Sequence, residues 1–270
     1  MTRGILATDL DGTLIPLDRN AQQVADLQQL GQLLKQHEVT LSYVTGRHLA
    51  SVQQVRKDER LPAPDWMICD VGTSLYSCQG NSSPILVPEY SEHLAALTTD
   101  MPREDLRRLL GSLNGLRLQE AEKQGPFKLS YYAQANDLDH LVPEIEDLLI
   151  RESAPYSLIH SVDPFNNDGL LDLLPRGVSK SYALDWWTKF LDTAPEQILF
   201  AGDSGNDLAP LTSGFRGILV GNADRRLAAE VAAAHQRAGW TDRLFLATQA
   251  ASSGVLEGCH AFGLFDATKS

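Results

Sequence analysis

Gly4-Ile5-Leu6-Ala7-Thr8 runs directly into Asp9-Leu10-Asp11-Gly12-Thr13, and this stretch decides the reading of the chain. A short apolar run closed by a glycine turn reads as a buried strand. Side chains alternate faces along a strand, so Asp9 and Asp11 project together from its carboxyl end. In an open α/β sheet that end is where ligands bind. Of two carboxylates placed there, one can attack an electrophile while the other moves protons, with a divalent cation against both. Asp-Gly is also an ordinary turn signal, so the rest of the chain has to choose between the readings.

Outward from Thr13 the pattern alternates. Val24, Leu27, Leu30 and Leu34 recur at helical spacing behind the candidate cap Asn20. Thr40 to Val44 reads as a second strand ending at Thr45-Gly46-Arg47, a helix follows from about His48 to Lys57, and Trp66 to Gly72 makes a third strand. Strand–helix–strand alternation of this kind builds a parallel, doubly wound sheet. From Gln79 to about Asp163 the character changes to helical stretches (Pro102 to Leu113, Leu138 to Glu152) between short strand candidates (Leu116 to Glu120, Phe127 to Tyr132, Tyr156 to His160). The α/β rhythm then resumes. Gly169 to Leu174 is read as a strand, Val178 to Leu191 as a helix and Gln197 to Ala201 as a strand ending in Gly202-Asp203-Ser204-Gly205-Asn206-Asp207. Arg216 to Val220 ends at Gly221-Asn222-Ala223, and a last helical region contains Ala247 to Leu256. The expected architecture is α/β: a doubly wound parallel sheet (a Rossmann-like core) with an inserted α+β cap. Turn-rich boundaries near Gly80-Asn81 and Pro164 to Asn167 assign 1–80 plus 165–270 to the core and 81–164 to the cap.

Composition narrows the function. The 270 residues are 43% hydrophobic and 21% charged, ordinary for a globular protein of two modest domains. A net charge of −12 argues against a general nucleic-acid or membrane surface, and it obliges any phosphate site to carry its own local cations. Cys69, Cys78 and Cys259 have no metal-ligand spacing and leave one thiol over in any disulfide scheme, which fits a reducing compartment. The chain enters its first strand with no charged-then-apolar leader, and no apolar stretch approaches the ~18 residues of a membrane span. A cytoplasmic protein with no obligate protein partner is expected.

Four clusters stand at strand ends or helix starts in fixed order: Asp9 with Asp11, Thr45-Gly46-Arg47, Lys180, and Asp203 with Asp207. This order and content resemble the haloacid dehalogenase superfamily of phosphotransferases. The resemblance implies that Asp9 is the nucleophile and forms an aspartyl-phosphate, while Asp11 serves as general acid and base. It implies that Thr45 bonds the transferring phosphoryl group, Gly46 lets backbone N–H groups approach, and Arg47 faces the substrate or the helix start. Lys180 neutralises phosphoryl charge and holds Asp9 ionised. Mg²⁺ is implied as cofactor, with Asp9, the Leu10 carbonyl and Asp203 as direct ligands and with Asp11 and Asp207 as further metal-site residues, Asp207 either ligating or supporting. Asn206 would orient the phosphate or Asp9. A lone lysine on a helix is ordinarily solvated surface; only its place after Leu171-Asp172-Leu173-Leu174-Pro175 lifts Lys180 above that.

Little sequence separates Asp11 from Thr45, whereas the long stretch from Thr45 to Lys180 holds the extra module. That arrangement resembles the Cof-like branch, whose cap lies between the second and third motifs. Within it, Leu61-Pro62-x-Pro64-Asp65-Trp66, Asp70-Val71-Gly72-Thr73-Ser74-Leu75-Tyr76, Phe127-Lys128-Leu129-Ser130-Tyr131-Tyr132 and Ala250-Ala251-Ser252-Ser253-Gly254-Val255-Leu256-Glu257-Gly258 resemble the sucrose-phosphate phosphatase group. The implied substrate is a phosphorylated disaccharide such as sucrose 6-phosphate, with Lys128, Ser130 and Asp163 as candidates for sugar hydroxyls. Mannosylfructose phosphate or another glycosyl-sugar phosphate, a hexose phosphomutase reaction, and a binding module without turnover are the alternatives. Trp186 and Trp187 suit a sugar-stacking platform, but on a helix such residues more often pack, and they are left out of the expected site.

Overall fold

The apolar runs that open the chain and recur after each helix have no polar face, so they belong inside a sheet covered on both sides. The computed structural model describes residues 4–18, 20–78, 83–162 and 166–266. In chain order the strands are β1 (Ile5–Thr8), β2 (Thr40–Val44), β3 (Trp66–Cys69), β4 (Ser74–Ser77), β5 (Ile85–Leu86) and β6 (Arg117–Leu118). They continue with β7 (Leu129–Gln134), β8 (Tyr156–Val162), β9 (Asp168–Pro175), β10 (Ile198–Gly202), β11 (Arg216–Leu219) and β12 (Leu244–Leu246). The α-helices are α1 (Ala21–Gln36), α2 (Leu49–Asp58), α3 (Pro88–Leu97), α4 (Arg103–Leu110) and α5 (Leu138–Arg151). After them come α6 (Lys180–Phe190), α7 (Leu208–Leu211), α8 (Arg225–Ala238) and α9 (Ala251–Ala261).

The chain divides into two compact units, one of residues 1–72, 76–85 and 180–270, the other of 73–75 and 86–179. An eight-stranded sheet has the order β12-β11-β10-β1-β2-β3-β4-β5. Every pairing from β12 across to β3 is parallel. Strand order therefore reverses direction around β1, between β10 and β2, which is the switch point where such sheets bind ligands. Leu6, Leu41, Leu199 and Ile218 fill the core on one face with Leu27, Leu30 and Leu34 of α1. Asn20 caps α1 as its side chain allows, its Oδ1 accepting from Gln22 N at 2.9 Å.

The second unit contains a four-stranded sheet, β6-β7-β9-β8, in which every pairing is antiparallel. Leu129, Tyr131 and Ala133 of β7 and Leu171 and Leu173 of β9 point to one side, where they pack with Leu141, Ile145 and Leu148 of α5 and Leu106 of α4. The stretch 169–174, expected to resume the large sheet, lies here instead, paired on both sides. Its neighbours explain the difference. Val162 sits opposite Gly169, so β8 and β9 are neighbouring antiparallel strands of one sheet, and both belong to the same unit. The unit containing the large sheet resumes at Lys180. The expected boundary residues Gly80, Asn81 and Pro164 lie outside the described residues, as does Asp163. The final helical region begins at Ala251, after β12, rather than at Ala247. No helix among the described residues is long and apolar enough to cross a membrane.

Candidate active site

Three neighbouring parallel strands deliver the acidic and hydroxyl groups. Thr8, the last residue of β1, lies opposite Ala201 of β10 and Tyr43 of β2. The Asp9 N–H continues that ladder by donating to Ala201 O at 2.9 Å. The chain then leaves through Gly12 at φ +77°, and a Cβ there would stand 2.4 Å from Asp203 Oδ2. Only glycine fits both that conformation and that approach.

Asp9 is buried, and Lys180 Nζ donates to its Oδ1 at 2.7 Å. The same ammonium donates to Asp207 Oδ1 at 2.9 Å and Asn206 Oδ1 at 3.1 Å, so its three N–H groups all have acceptors. Lys180 is the first residue of α6 and only 1% exposed, unlike the solvated surface lysine its residue type suggests. Asp207, fully buried, also accepts through Oδ2 from Asp203 N, Ser204 N and Ser204 Oγ, each at 3.2 Å. It thereby closes the loop that follows β10. Gly202 is required there because a Cβ would lie 2.6 Å from Asp207 Cβ. Carboxylate oxygens of Asp9, Asp203 and Asp207 lie within 4.8 Å of one another.

Three carboxylates gathered around one ammonium repel one another and have left water. Burial first, then Asp207 and Asp203 against the pull of Lys180, raises the Asp9 carboxyl from 3.8 to about 7. Burial and Asp207 likewise raise Asp203 to about 6, against its hydrogen bond from Thr13. Burial works against the Lys180 charge, but Asp9 and Asp207 outweigh it and hold the ammonium above the usual lysine range. Three carboxylates outnumber the one ammonium, and their hard oxygen donors fit a further cation such as Mg²⁺.

Asp11 stands apart from that triad. Arg47 takes it in a fork, Nε to Oδ2 at 2.7 Å and Nη2 to Oδ1 at 2.6 Å. Arg47 is itself steadied by Ser51 Oγ at 2.8 Å, and its backbone N–H donates to Thr45 Oγ1 at 3.2 Å. Thr45 is buried at the end of β2, and Gly46 carries the chain from it to Arg47. The Leu10 carbonyl accepts from Thr13 N at 3.2 Å and Ile15 N at 2.7 Å within the turn. Lys128 belongs to the second unit, buried just before β7, and Ser130 Oγ donates to Asp172 Oδ1 at 2.5 Å there. Trp187 is fully buried while Trp186 stacks on Phe190, so the two do not form one platform. Residue types alone missed Thr13, whose hydroxyl donates to Asp203 Oδ1 at 3.0 Å. Its signal was its place in the turn after Asp11.

An aspartate pair leaving the switch-point strand, with a threonine, a buried lysine and two more aspartates from neighbouring elements, defines a hydrolase fold of the haloacid dehalogenase class. Within that class the chain belongs to the sucrose-6F-phosphate phosphohydrolase family, whose profile matches residues 2–263. A putative HAD-like hydrolase of Nitrosococcus oceani is 36% identical over 227 residues, 84% of this chain and 61% of its own length. The chain thus spans less than two thirds of that relative. A mannosylfructose-phosphate phosphatase of Agrobacterium fabrum is 28% identical over 96% of this chain and 97% of its own. Among solved structures, the sucrose-phosphatase of Synechocystis, in complex with sucrose and phosphate, superposes with a TM-score of 0.76 at 25% identity, covering 97% of this chain and 98% of that one.

Proposed function

We propose that this chain hydrolyses a sugar phosphate monoester through an aspartyl-phosphate on Asp9, with Mg²⁺ as cofactor and a disaccharide phosphate such as sucrose 6-phosphate as substrate. The observation that carries the reading is Asp9 itself, buried at the switch point 2.7 Å from the Lys180 ammonium and beside Asp203 and Asp207. A carboxylate is a weak nucleophile, and transfer of a phosphoryl group asks chiefly for positioning and charge neutralisation. Lys180 fixes one Asp9 oxygen. The carboxylate forms a bond to phosphorus as the ester P–O bond breaks, and the sugar oxygen takes the electron pair and a proton from Asp11. Water then gives a proton back to Asp11 and attacks phosphorus, so phosphate leaves and the Asp9 carboxylate is restored. Arg47 aims Asp11, whose side chain is 42% exposed and can exchange protons with solvent. A divalent cation held by Asp9, Asp203 and Asp207 would supply charge neutralisation and polarise the phosphoryl oxygens.

The match to a mannosylfructose-phosphate phosphatase over nearly the whole length of both chains supports that glycosyl-sugar phosphate as the second reading. Lys128 and Ser130 are proposed to act on the sugar, so Lys128→Ala should raise KM for the disaccharide phosphate and leave that for p-nitrophenyl phosphate unchanged. The deciding assay is a panel of phosphorylated mono- and disaccharides with Mg²⁺, following released phosphate. Release from a disaccharide phosphate that a chelator abolishes supports the proposal. Conservation of ester phosphate with isomerised product would make the chain a mutase, and no reaction with any ester would leave a binding module.

A further inference from the structure

Asn222 follows β11, next to the Gly221 that ends the apolar run Arg216 to Val220, and the proposed reaction gives it no part. Its amide is nonetheless fully used, in three directions. Nδ2 donates to Gly12 O at 2.9 Å, with Asp203 Oδ2 also in range at 3.4 Å, and Oδ1 accepts from Ala251 N at 2.8 Å. One side chain therefore ties together the turn after the Asp9–Asp11 strand, the Asp203 loop and the start of α9.

Each tied segment needs outside support. Gly12 has φ +77°, so its carbonyl orientation is not set by regular secondary structure. Ala251 has φ +48°, which costs a residue with a Cβ about 1–3 kcal/mol and persists only where surroundings impose it. Ala250 gives α9 no side-chain cap, so the Ala251 N–H would be an orphan without Asn222. Asp203 is held on its other oxygen by Thr13 Oγ1 at 3.0 Å. With Thr13 on Oδ1 and Asn222 towards Oδ2, the carboxylate is fixed in rotation. Each oxygen still keeps a lone pair for a cation.

We infer that Asn222 is a positioning residue: through Gly12 and Asp203 it fixes the distance between the Asp9 turn and the Asp203 carboxylate, and so sets how tightly a divalent cation is held. The inference rests on the proposed use of that carboxylate cluster. Groups that orient metal-binding carboxylates typically change affinity or activity by about 10–100-fold when removed.

Ser252 supplies a control at the same helix start. Its hydroxyl, fully buried, donates to Gln23 O at 2.6 Å and touches none of the carboxylates. The experiment compares wild type, Asn222→Ala and Ser252→Ala by calorimetric titration of the chelated proteins with Mg²⁺. Melting temperature in EDTA and hydrogen exchange of the segments around Gly12 and Ala251 are measured on the same samples. The expected result is that Asn222→Ala weakens Mg²⁺ binding about tenfold or more and speeds exchange around Gly12. Ser252→Ala should lower the melting temperature and leave Mg²⁺ affinity at the wild-type value. Wild-type affinity in a folded Asn222→Ala, or equal loss in both variants, overturns the inference and leaves the proposed function standing. A wild-type protein that takes up no Mg²⁺ overturns the inference, and the substrate panel then decides whether the proposed function falls with it. If Asn222→Ala does not fold, Asn222→Ser is titrated instead under the same criteria.

Discussion

Lys180 shows how much one side chain decides here. Its ammonium meets Asp9, Asp207 and Asn206 in a place that is 1% exposed, so it is the counter-ion on which two buried carboxylates depend. Breaking a buried pair from one side strands the other charge and costs about 3–5 kcal/mol, more than most hydrogen bonds contribute. Lys180→Met is therefore expected to lose about 3–5 kcal/mol in urea unfolding, with part of it recovered by Mg²⁺. A variant as stable as wild type would show that Asp9 and Asp207 are not ionised together. The residue scale is also where sequence reasoning was sharpest. Asp9, Lys180, Asp203 and Asp207 stand out through their place in a motif order that resembles a known superfamily, and the fold gathers them into one cluster. For Leu10 the expected group is a backbone carbonyl, which carries no residue signature, and the turn bonds it accepts are visible only in three dimensions.

At the scale of elements, α6 does two jobs with opposite ends. Its first residue is Lys180, and further along Trp187 is buried against Trp66 with ring centroids 5.9 Å apart. Trp186, only partly buried, stacks on the exposed Phe190 with centroids 5.1 Å apart. Trp187→Ala is expected to cost about 3–5 kcal/mol by the cavity it leaves, whereas Trp186→Ala should cost well under half of that. Denaturant melts of the two variants check this, and similar losses would contradict the assignment of faces. The helical and strand periods made α1, β2, α5 and β10 legible, because each has one clear apolar pattern. The strand at 168–175 was legible as a strand and misread in its sheet. Period tells what an element is, whereas pairing depends on partners far away in sequence, here Leu129 to Gln134 and Tyr156 to Val162. Helix α8 went unread: its alanine-rich stretch buries only Leu227, Val231 and His235, too sparse a stripe to stand out.

For the whole molecule, the net charge of −12 opposes approach of a phosphate ester, and the cluster around Asp9 adds to that field until a cation balances it. Salt screens the distant charges more than the buried ones. KM for a sugar phosphate in saturating Mg²⁺ is thus expected to fall as ionic strength rises from about 0.02 to 0.2 M, by roughly two- to threefold, with kcat little changed. A rising KM would mean that surface cations, not Lys180 and the bound metal, collect the substrate. The account stands or falls on the acyl-phosphate. Acid-quenched turnover of a disaccharide phosphate, followed by tritiated borohydride, converts a phosphorylated aspartate to labelled homoserine. The label should appear at position 9, only with Mg²⁺ present, and be absent from Asp11, Asp203 and Asp207. Steady phosphate release with no label at position 9, or with label on another aspartate, would contradict it.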